Sequence, residues 1–338
     1  MWGGKNEMGR KIAFIYGGRS TEHDASLKSY ESFINNLSTD DFYVCCNIFI
    51  DRYGKAYLNK KETTIGEIVD FIKDNNDIFW VNLLHGQEGE DGSWSGIFDI
   101  IDGKGTIESV FTSAILMDKY AQSCFAFHAL RGMIKIPEMQ ILKKGDIFSN
   151  DKGWKKIVVK PNKMGASHFT EVFYENELEG MPYLADEIFK YSDTALIQEF
   201  INGDEYTCGV IKENGIIRTL PVIKVSTESG ILGHMEKHKA GFAKVVFMED
   251  DIANKIKKCS AKLFELFQVR GMARFDFIIQ NDEIYFLEGN LIPGFSGESA
   301  FPMMLKKQGI SLNEFLIILM DTYTYEEKQC KFLPYTIE

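Results

Sequence analysis

The sequence predicts an α/β protein in which a parallel α/β unit is followed by an α+β region. Strand-like apolar runs alternate with amphipathic helical stretches from residue 11 to about residue 117, as they do around parallel sheets. Farther along, strands follow one another more closely, and one pair is joined at Glu213-Asn214-Gly215, a typical hairpin turn. A helical pattern near residue 250 then leads into a second, charged hairpin.

The composition favours a protein that acts on small molecules. The 338 residues are 45% hydrophobic and 26% charged, which is the balance of an ordinary globular chain with two or three domains. The formal net charge of -11 argues against a broad basic surface for nucleic acid. The chain lacks both an apolar run of roughly 18 residues and a signal-peptide core, so we expect a cytoplasmic protein without membrane contact.

The cysteines are expected to be reduced thiols in the core. They lie in apolar segments and lack the spacing of a metal site or a disulfide framework. The six are Cys45, Cys46, Cys124, Cys208, Cys259 and Cys330.

The first part of the chain predicts a ligand-binding edge. The strands "KIAFIY", "FYVCCNIFI" and "DIFWVNLLHG" alternate with "ASLKSYESFINNL" and a second helix. Ligands bind at the carboxyl ends of strands in such sheets. The loops "YGGRSTEHD" and "LLHGQEGEDG" follow two of these ends, so we expect both loops to face a ligand.

The second part predicts a mostly antiparallel sheet with helices on one face. Two helices are expected to flank "GMIKIPEMQIL", with Pro137 interrupting them. The strands "KKIVVKP", "FTEVFYE" and "TALIQEF" surround a helix at about residues 178–190. The last helix, "SLNEFLIILMDTYTY", is expected to pack back on the sheet. The helix that starts near Asp250 has an apolar face formed by Ile252, Ile256, Cys259, Leu263 and Leu266.

The hairpin "RFDFIIQNDEIYFLEGN" carries more charge than a strand pair usually does. Side chains alternate between the two faces of a strand, so Arg274 shares a face with Asp276, and Glu288 shares a face with Asn290. A two-residue turn would put Glu288 on the wrong face for the two pairs to meet. A three-residue or bulged turn around residues 281–283 would set 276 opposite 288 and 274 opposite 290.

In that second register the hairpin predicts a cation site. Two carboxylates and an amide oxygen would converge, and their repulsion would be costly unless a cation lay between them. Such hard oxygen ligands suit Mg²⁺ when substrate phosphates complete its shell. The alternative is a solvated sheet face with a surface Arg/Asp pair, which is common.

Other signals for phosphate binding are weak by themselves. Lys119 in "LMDKY" and Lys160 in "VVKP" are either surface lysines or phosphate ligands. The loop "NKMGAS" has a glycine and small residues that let backbone N–H groups approach phosphates. The sequence contains neither G-x-x-x-x-G-K-[ST] nor G-x-G-x-x-G, so a dinucleotide oxidoreductase has little support.

Read in chain order, seven segments resemble the D-alanine:D-alanine ligases of the ATP-grasp superfamily. They span residues 11 to about 322, and their agreement in order is stronger evidence than any one of them. The segments are "YGGRSTEHDASLKS", "LLHGQEGEDGSWSG", "SAILMDKY", "VVKPNKMGAS", "LIQEFINGDEYTCGVI", "GMARFDFII" and "LEGNLIPGFSGES".

The resemblance implies a three-part ligase. A Rossmann-like N-terminal domain would cover residues 11–117, and a two-part ATP-grasp module would consist of a central domain at 118–203 and a C-terminal domain at 204–330. ATP would lie between the last two. The implied reaction is ADP-forming: the carboxylate of one amino acid takes a phosphoryl group, and the amine of the second attacks the acyl phosphate to form a C–N bond.

The resemblance also implies site residues by position. Arg274 and the Gly294 N–H would stabilise the tetrahedral intermediate, and Lys237 would contact phosphate. Nucleotide-binding positions would be Lys119, Lys160, Ser167, Gln198, Glu199, Phe200, Ile201 and Glu205. Metal ligands for two Mg²⁺ ions, with Mn²⁺ as a substitute, would be Asp276, Glu288 and Asn290. Substrate positions would be Glu22, His85, His238 and Ser299.

Structural alternatives exist for two of the substrate positions. Glu22 lies where an acid at the start of a helix is favoured by the helix dipole. His85 is also typical of a histidine whose ring is satisfied within a turn.

The chain departs from the family pattern at substrate and lid positions. Ala166 replaces a serine, His238 aligns with a tyrosine, and Phe169 stands where a glycine is usual in the phosphate loop. Glu22 is thus the one unchanged member of a hydrogen-bonded triad. In the last motif, Leu291 replaces a threonine, and Glu298 places a carboxylate beside the substrate serine.

These departures leave three functions open. The first is a ligase of the D-alanine:D-alanine type in peptidoglycan synthesis, which none of the changes excludes, since the ATP and metal residues are retained. The second is a depsipeptide ligase of the D-alanine:D-lactate kind or a natural-product ligase. The third is a nucleotide-binding module without turnover. The resemblance further implies a homodimer.

Overall fold

The computed structural model describes residues 9–227, 243–297 and 299–329. Within these ranges the strands form three sheets, of five, four and six strands. The mixed α/β class predicted from the sequence is confirmed.

The N-terminal sheet has the strand order β4-β3-β2-β1-β5. Strand β1 runs parallel to both β2 and β5, as predicted, whereas β3 and β4 form an antiparallel edge hairpin that the sequence pattern did not indicate. The strands are β1 (Arg10–Gly17), β2 (Phe42–Ile50), β3 (Ala56–Leu58), β4 (Lys61–Thr63) and β5 (Phe79–Asn82). The helices of this part are α1 (His23–Asn36), α2 (Ile65–Asp74) and α3 (Ser93–Ile100).

The central sheet is antiparallel, with the order β6-β9-β7-β8. The predicted helix near residues 178–190 forms, with a first turn of 3₁₀ type at Glu175–Gly180. The elements are β6 (Met139–Lys143), β7 (Lys156–Pro161), β8 (Glu171–Tyr174), α6 (Met181–Ile188) and β9 (Thr194–Glu199).

The prediction of two helices around Pro137 is half wrong. Helices α4 (Val110–Met117) and α5 (Lys119–Ala129) precede this stretch, but the residues after Pro137 form strand β6. Its backbone pairs with β9, which comes much later in the chain, so tertiary pairing overrode a pattern that was compatible with either structure.

The C-terminal sheet has the order β13-β12-β10-β14-β15, and β11 also pairs with β10. All of its pairs are antiparallel. The strands are β10 (Asp204–Glu213), β11 (Ile216–Thr219), β12 (Val222–Thr227), β13 (Ala243–Met248), β14 (Met272–Gln280) and β15 (Glu283–Asn290). The helices are α7 (Asp251–Leu266), α8 (Ala300–Lys307) and α9 (Leu312–Gln329).

Helix α7 begins where its sequence predicts. The Asp250 side chain accepts a hydrogen bond from the Ala253 N–H at 2.8 Å, which satisfies one of the unpaired donors of the first turn. Ile256, Cys259 and Leu263 are buried on one face, in the core under the C-terminal sheet. The predicted apolar stripe is therefore confirmed.

The charged hairpin has the predicted register but a different turn. Asp276 lies opposite Glu288, and Arg274 lies opposite Asn290. The turn contains only Asn281 and Asp282, whose φ angles of 51° and 62° are those of a two-residue type I′ turn. The register shifts instead within the strands, between Asp276 and Phe277, because Leu287 is an extra residue on β15.

The final helix packs back on the molecule, as predicted, and joins its first and last sheets. Phe315 and Leu316 of α9 share a core with Phe14 of β1. In the same core, the rings of Phe33 and Phe295 lie 4.9 Å apart between centroids. The N-terminal sheet and the loop after β15 are thereby held together by apolar contact.

Two further predictions concern burial and membranes. Cys46, Cys208 and Cys259 are buried, but Cys124 on α5 is exposed, so the expectation of a core thiol is wrong there; Cys330 lies outside the described residues. Helix α5 presents Ala126 to the core and leaves Cys124 on its outer side. None of the helices in the described ranges is long and apolar enough to cross a membrane.

Candidate active site

A cavity lies between the central and C-terminal sheets. It is lined by all the residues that the family resemblance assigns to nucleotide binding. Two of the three residues assigned as metal ligands line it as well. These residues are Lys119, Lys160, Ser167, Gln198, Glu199, Phe200, Ile201, Glu205, Asp276 and Glu288.

Part of the cavity lining is apolar and suits a flat ring. This part includes Val158 and Val172 from the central sheet, and Ile278 and Leu287 from the charged hairpin. Leu287 is the extra residue of β15, so the irregularity that sets the hairpin register also contributes to this wall. Apolar walls with a few polar groups are typical of sites that bind a planar ligand.

The last residues of β9 and the two that follow, 198–201, form a bridge that lines the same cavity. The Lys156 ammonium lies 3.5 Å from the centroid of the Phe200 ring and 5.1 Å from that of Tyr174. Gln198 and Ile201 are buried. The cation–π contacts hold the Phe200 side chain against the sheet, which keeps the bridge in place.

The loop after β7 is built from an unusual run of left-handed residues. Ala166, Ser167 and Phe169 have φ angles of 55°, 54° and 54°. For residues with a Cβ atom, this conformation costs about 1–2 kcal/mol each. Phe169, where a glycine is usual in the family, keeps a glycine-like backbone, and its ring stacks on Tyr191 at 5.4 Å.

Two lysines bring positive charge to the cavity. The Lys119 ammonium donates to the Met164 carbonyl at 2.6 Å and lies 3.3 Å from a Glu288 carboxylate oxygen. It is held at the start of α5 because its backbone N–H donates to the Asn162 carbonyl. Lys160, at the end of β7, lines the same cavity. Both cations are placed to contact an anionic ligand.

Asp276 is the most heavily bonded carboxylate of the site. Arg274 donates to both of its oxygens, from Nε at 3.0 Å and from a terminal nitrogen at 2.9 Å. Thr207 Oγ1 donates to it at 2.6 Å, and the Asn290 amide nitrogen lies at 3.3 Å. Burial by itself would lower the pKa of Arg274, but the Asp276 carboxylate outweighs it and raises that pKa above its ordinary value.

The donor set of the hairpin fits a hard cation. The described residues contain no cluster of three or more His, Cys, Asp and Glu side chains able to hold a metal. Asp276 and Glu288 nevertheless lie opposite each other and line one cavity, next to the Asn290 amide. An amide can present its oxygen instead of its nitrogen, which would give two carboxylates and one amide oxygen. Phosphate oxygens can complete such a shell around Mg²⁺.

Glu22 lies where two glycines leave room for its carboxylate. A Cβ atom at Gly86 or Gly165 would collide with this side chain. Glu22 is the residue before α1, as the helix-start alternative expects, but its side chain makes no capping hydrogen bond. Burial raises the pKa of Glu22, the nearby Glu90 carboxylate raises it further, and the Lys119 ammonium opposes both effects.

His85 and Glu90 connect the loop after β5 to the loop after β15. The Glu90 carboxylate accepts hydrogen bonds from the Gly86 and Ile292 N–H groups, each at 2.8 Å. His85 is buried, and its Nε2 lies 3.0 Å from Ser29 Oγ. Burial, helped by the Arg274 charge, lowers the pKa of His85 to about 4. The imidazole is therefore neutral near pH 7.

The predicted second-substrate residues are partly described. Ser299 Oγ lies 2.7 Å from Ser296 Oγ, and a Cβ atom at Gly294 would approach Ser299 Oγ to 2.9 Å. Gly294 and Ser299 are thus neighbours. Lys237, His238 and Glu298 lie outside the described residues, so their assigned roles stay predictions.

Sequence reasoning missed three side chains of this region. Thr207 bonds Asp276 and Ser29 bonds His85, both predicted site residues, while Glu90 bonds the Ile292 N–H near the predicted Gly294. Glu90 and Ser29 stand inside segments that carried the family resemblance, but nothing in their spacing indicates what they contact. Thr207 reaches Asp276 from the neighbouring strand β10, where the two residues are paired.

Comparison with known proteins identifies the family. A family model described as "D-ala D-ala ligase C-terminus" matches residues 133–321, which is more than half of the chain. The chain is 30% identical over 315 residues to the D-alanine–D-alanine ligase of Pseudothermotoga lettingae, covering 92% of this chain and 99% of that protein. The chain belongs to the D-alanine–D-alanine ligase family. The protein of the same name from Prochlorococcus marinus strain NATL1A is 28% identical over 346 residues, covering 92% and 97%.

Solved structures of the D-alanine–D-alanine ligase family share the fold. A Bacillus anthracis D-alanine–D-alanine ligase complexed with ATP matches with a TM-score of 0.76 and 21% identity, covering 95% of this chain and 99% of that one. The VanG D-Ala:D-Ser ligase from Enterococcus faecalis gives a TM-score of 0.75 and 23% identity, covering 93% and 99%. The agreement extends over nearly the whole chain and confirms the ATP-grasp architecture.

Proposed function

We propose that this protein is an ATP-dependent, ADP-forming ligase that joins two D-alanine-type amino acids through a C–N bond. The observation that carries the proposal is one cavity that combines the predicted nucleotide-binding residues of the central sheet with Asp276 and Glu288 of the C-terminal sheet. Relatives that cover nearly the whole chain bear the name D-alanine–D-alanine ligase, which supports an amine as the nucleophile and a product used in peptidoglycan synthesis.

The first chemical step is activation of a carboxylate. A carboxylate is a poor electrophile until it carries a leaving group, so transfer of the ATP γ-phosphoryl group to it forms an acyl phosphate. Lys119 and Lys160, which line the cavity, balance the phosphate charge. Asp276, Glu288 and Asn290 would hold Mg²⁺, or Mn²⁺ in its place, and the bound ions supply further charge neutralisation at the phosphates.

The second step is attack by the amine of the other amino acid. Arg274, held in two hydrogen bonds by Asp276, would stabilise the negative charge of the tetrahedral intermediate together with the Gly294 N–H. Glu22 would receive the ammonium group of the first amino acid. Burial disfavours the charged form of this carboxylate, and a cationic partner would offset that cost. Ser299, beside Gly294, would receive the carboxylate of the second amino acid.

The domain division, the oligomeric state and the cellular location complete the proposal. The chain is divided at residues 117/118 and 203/204, although α4 and α5 pack against the core of the C-terminal sheet through Leu116 and Ala126. The family resemblance supports a homodimer. The family resemblance likewise supports a cytoplasmic location.

The test is ADP release across a panel of D- and L-amino acids and 2-hydroxy acids. We expect release with a pair of D-amino acids, dipeptide by mass spectrometry, and acyl hydroxamate when hydroxylamine is added. Asp276→Asn and Arg274→Ala should each lower turnover by at least ~10²-fold. Tight ATP binding without ADP release from any pair would contradict the proposal, and so would ester formation from a hydroxy acid alone.

A further inference from the structure

The short segment around Gly294 is held by side chains from the N-terminal part of the molecule. Gly294 is flanked by Ile292 and Phe295, and backbone groups of both residues are hydrogen-bonded to groups that precede residue 91. These contacts join parts of the chain that are more than 200 positions apart.

Glu90 fixes the first side of this segment. Its Oε1 accepts the Ile292 N–H at 2.8 Å, while its Oε2 accepts the Gly86 N–H at 2.8 Å. The carboxylate therefore bridges the loop after β5 and the loop after β15. Charge-assisted bonds of this kind are shorter and stronger than neutral ones.

Ser29 and His85 fix the other side. The Phe295 N–H donates to Ser29 Oγ at 3.2 Å, and Ser29 Oγ lies 3.0 Å from His85 Nε2. Because the hydroxyl accepts from Phe295, its own hydrogen is available for a neutral Nε2. The His85 ring thus reaches the segment through Ser29, at its Phe295 end.

We propose that Ser29, His85 and Glu90 are positioning residues that hold residues 292–295, and with them the Gly294 N–H, in place for the tetrahedral intermediate. The inference rests on the proposed ligase function. It assigns the His85 ring to the support of Ser29 rather than to the substrate, since Ser29 Oγ is the hydrogen-bond partner of this ring. Ser29 carries no substrate role in this scheme and is the best residue for a test.

Hydrogen exchange tests the contact without any need for turnover. In Ser29→Ala, the Phe295 amide should exchange at least ~10-fold faster than in the wild type, because it loses its acceptor. Ser29→Thr retains the hydroxyl and should restore protection. The matched control is Ser26→Ala, on the same face of α1, whose hydroxyl bonds only Gly17 and Leu83 of the N-terminal part. Equal protection of Phe295 in the wild type and Ser29→Ala would overturn the proposal.

Kinetics test the consequence for the reaction. Ser29→Ala should lower kcat by about 10²-fold while the KM for ATP changes by less than about twofold, since a misplaced donor affects the transition state. A tetrahedral phosphinate analogue of the dipeptide should lose affinity by the same factor. Unchanged phosphinate affinity, or an equal loss in Ser26→Ala, would overturn the positioning role. A wild-type enzyme that forms no dipeptide would instead contradict the proposed function, and the exchange data would still report on the contact.

Discussion

At the scale of single residues, Thr207 shows how a neutral side chain supports a charged site. Its hydroxyl donates to the buried Asp276 carboxylate at 2.6 Å, beside the two bonds from Arg274. A hydrogen bond to a charged group contributes more to stability than one between neutral groups, and its loss leaves a buried acceptor under-satisfied. Thr207 therefore satisfies one acceptor oxygen of the buried Asp276 side chain.

We expect Thr207→Val to lower the free energy of unfolding by about 2 kcal/mol, because the valine keeps the shape but not the donor. Urea denaturation measures this loss, and ADP release should fall in parallel as Arg274 and Asp276 lose their geometry. Thr207→Ser is the matched control and should stay close to the wild type. A Thr207→Val protein as stable as Thr207→Ser would refute the contribution of this hydroxyl.

At the scale of elements, two separate features set the register of the hairpin formed by β14 and β15. The turn at Asn281-Asp282 sets the pairing of the outer half, and the extra residue Leu287 sets the pairing of Asp276 with Glu288. A shift by one residue would move a whole set of side chains to the other face of the sheet. The site therefore depends on an irregularity inside the strand and not on the turn.

The turn can be tested independently of the site. Asp282 is exposed and has a φ of 62°, so Asp282→Gly should raise the free energy of unfolding by about 0.5 kcal/mol, in line with the Asn-Gly preference of type I′ turns. Asp282→Val, with a branched Cβ in the same conformation, should lower it by about 1 kcal/mol or more. Both variants should bind ATP like the wild type in a calorimetric titration. Weaker ATP binding by Asp282→Gly would show that the turn, too, sets the register.

At the scale of the whole molecule, Glu108 connects three separate segments. Its buried carboxylate accepts from the Arg270 N–H at 2.8 Å, the Gly271 N–H at 3.1 Å and the Tyr323 hydroxyl at 2.7 Å. It thereby joins the segment after β5 to the start of β14 and to helix α9. Burial raises the pKa of Glu108, and the hydrogen bonds from Arg270 and Tyr323 only partly oppose that rise.

This shift predicts a pH dependence of stability. In the window between the ordinary glutamate pKa near 4.5 and the raised native pKa, the folded state holds a proton that the unfolded state has released. The stabilisation linked to Glu108 is complete below that window and is lost as the pH rises through the native pKa. Urea unfolding across pH 4–8 should show a steeper fall in stability for the wild type than for Glu108→Gln, which retains the other buried carboxyl groups. Parallel pH profiles of the two proteins would contradict the prediction.

Much of the fold could be predicted because its signals are local. The apolar face of α7 and the alternation of β14 depend on the nearest neighbours in sequence, and both form as predicted. Strand β6 could not be predicted in this way, since its partner β9 comes far later in the chain. The residue types of the candidate site were likewise visible in the motifs, whereas Thr207 and Glu90 contact the site only through tertiary pairing.

The sequence by itself determined the order of the motifs, the family they resemble and the faces on which Arg274, Asp276, Glu288 and Asn290 lie, because these follow from spacing along one strand or loop. Only the tertiary structure decided that Leu287 is the extra residue and that Ser29 and Glu90 hold the segment around Gly294. The physical reason is that a backbone donor must find an acceptor wherever the folded chain brings one near.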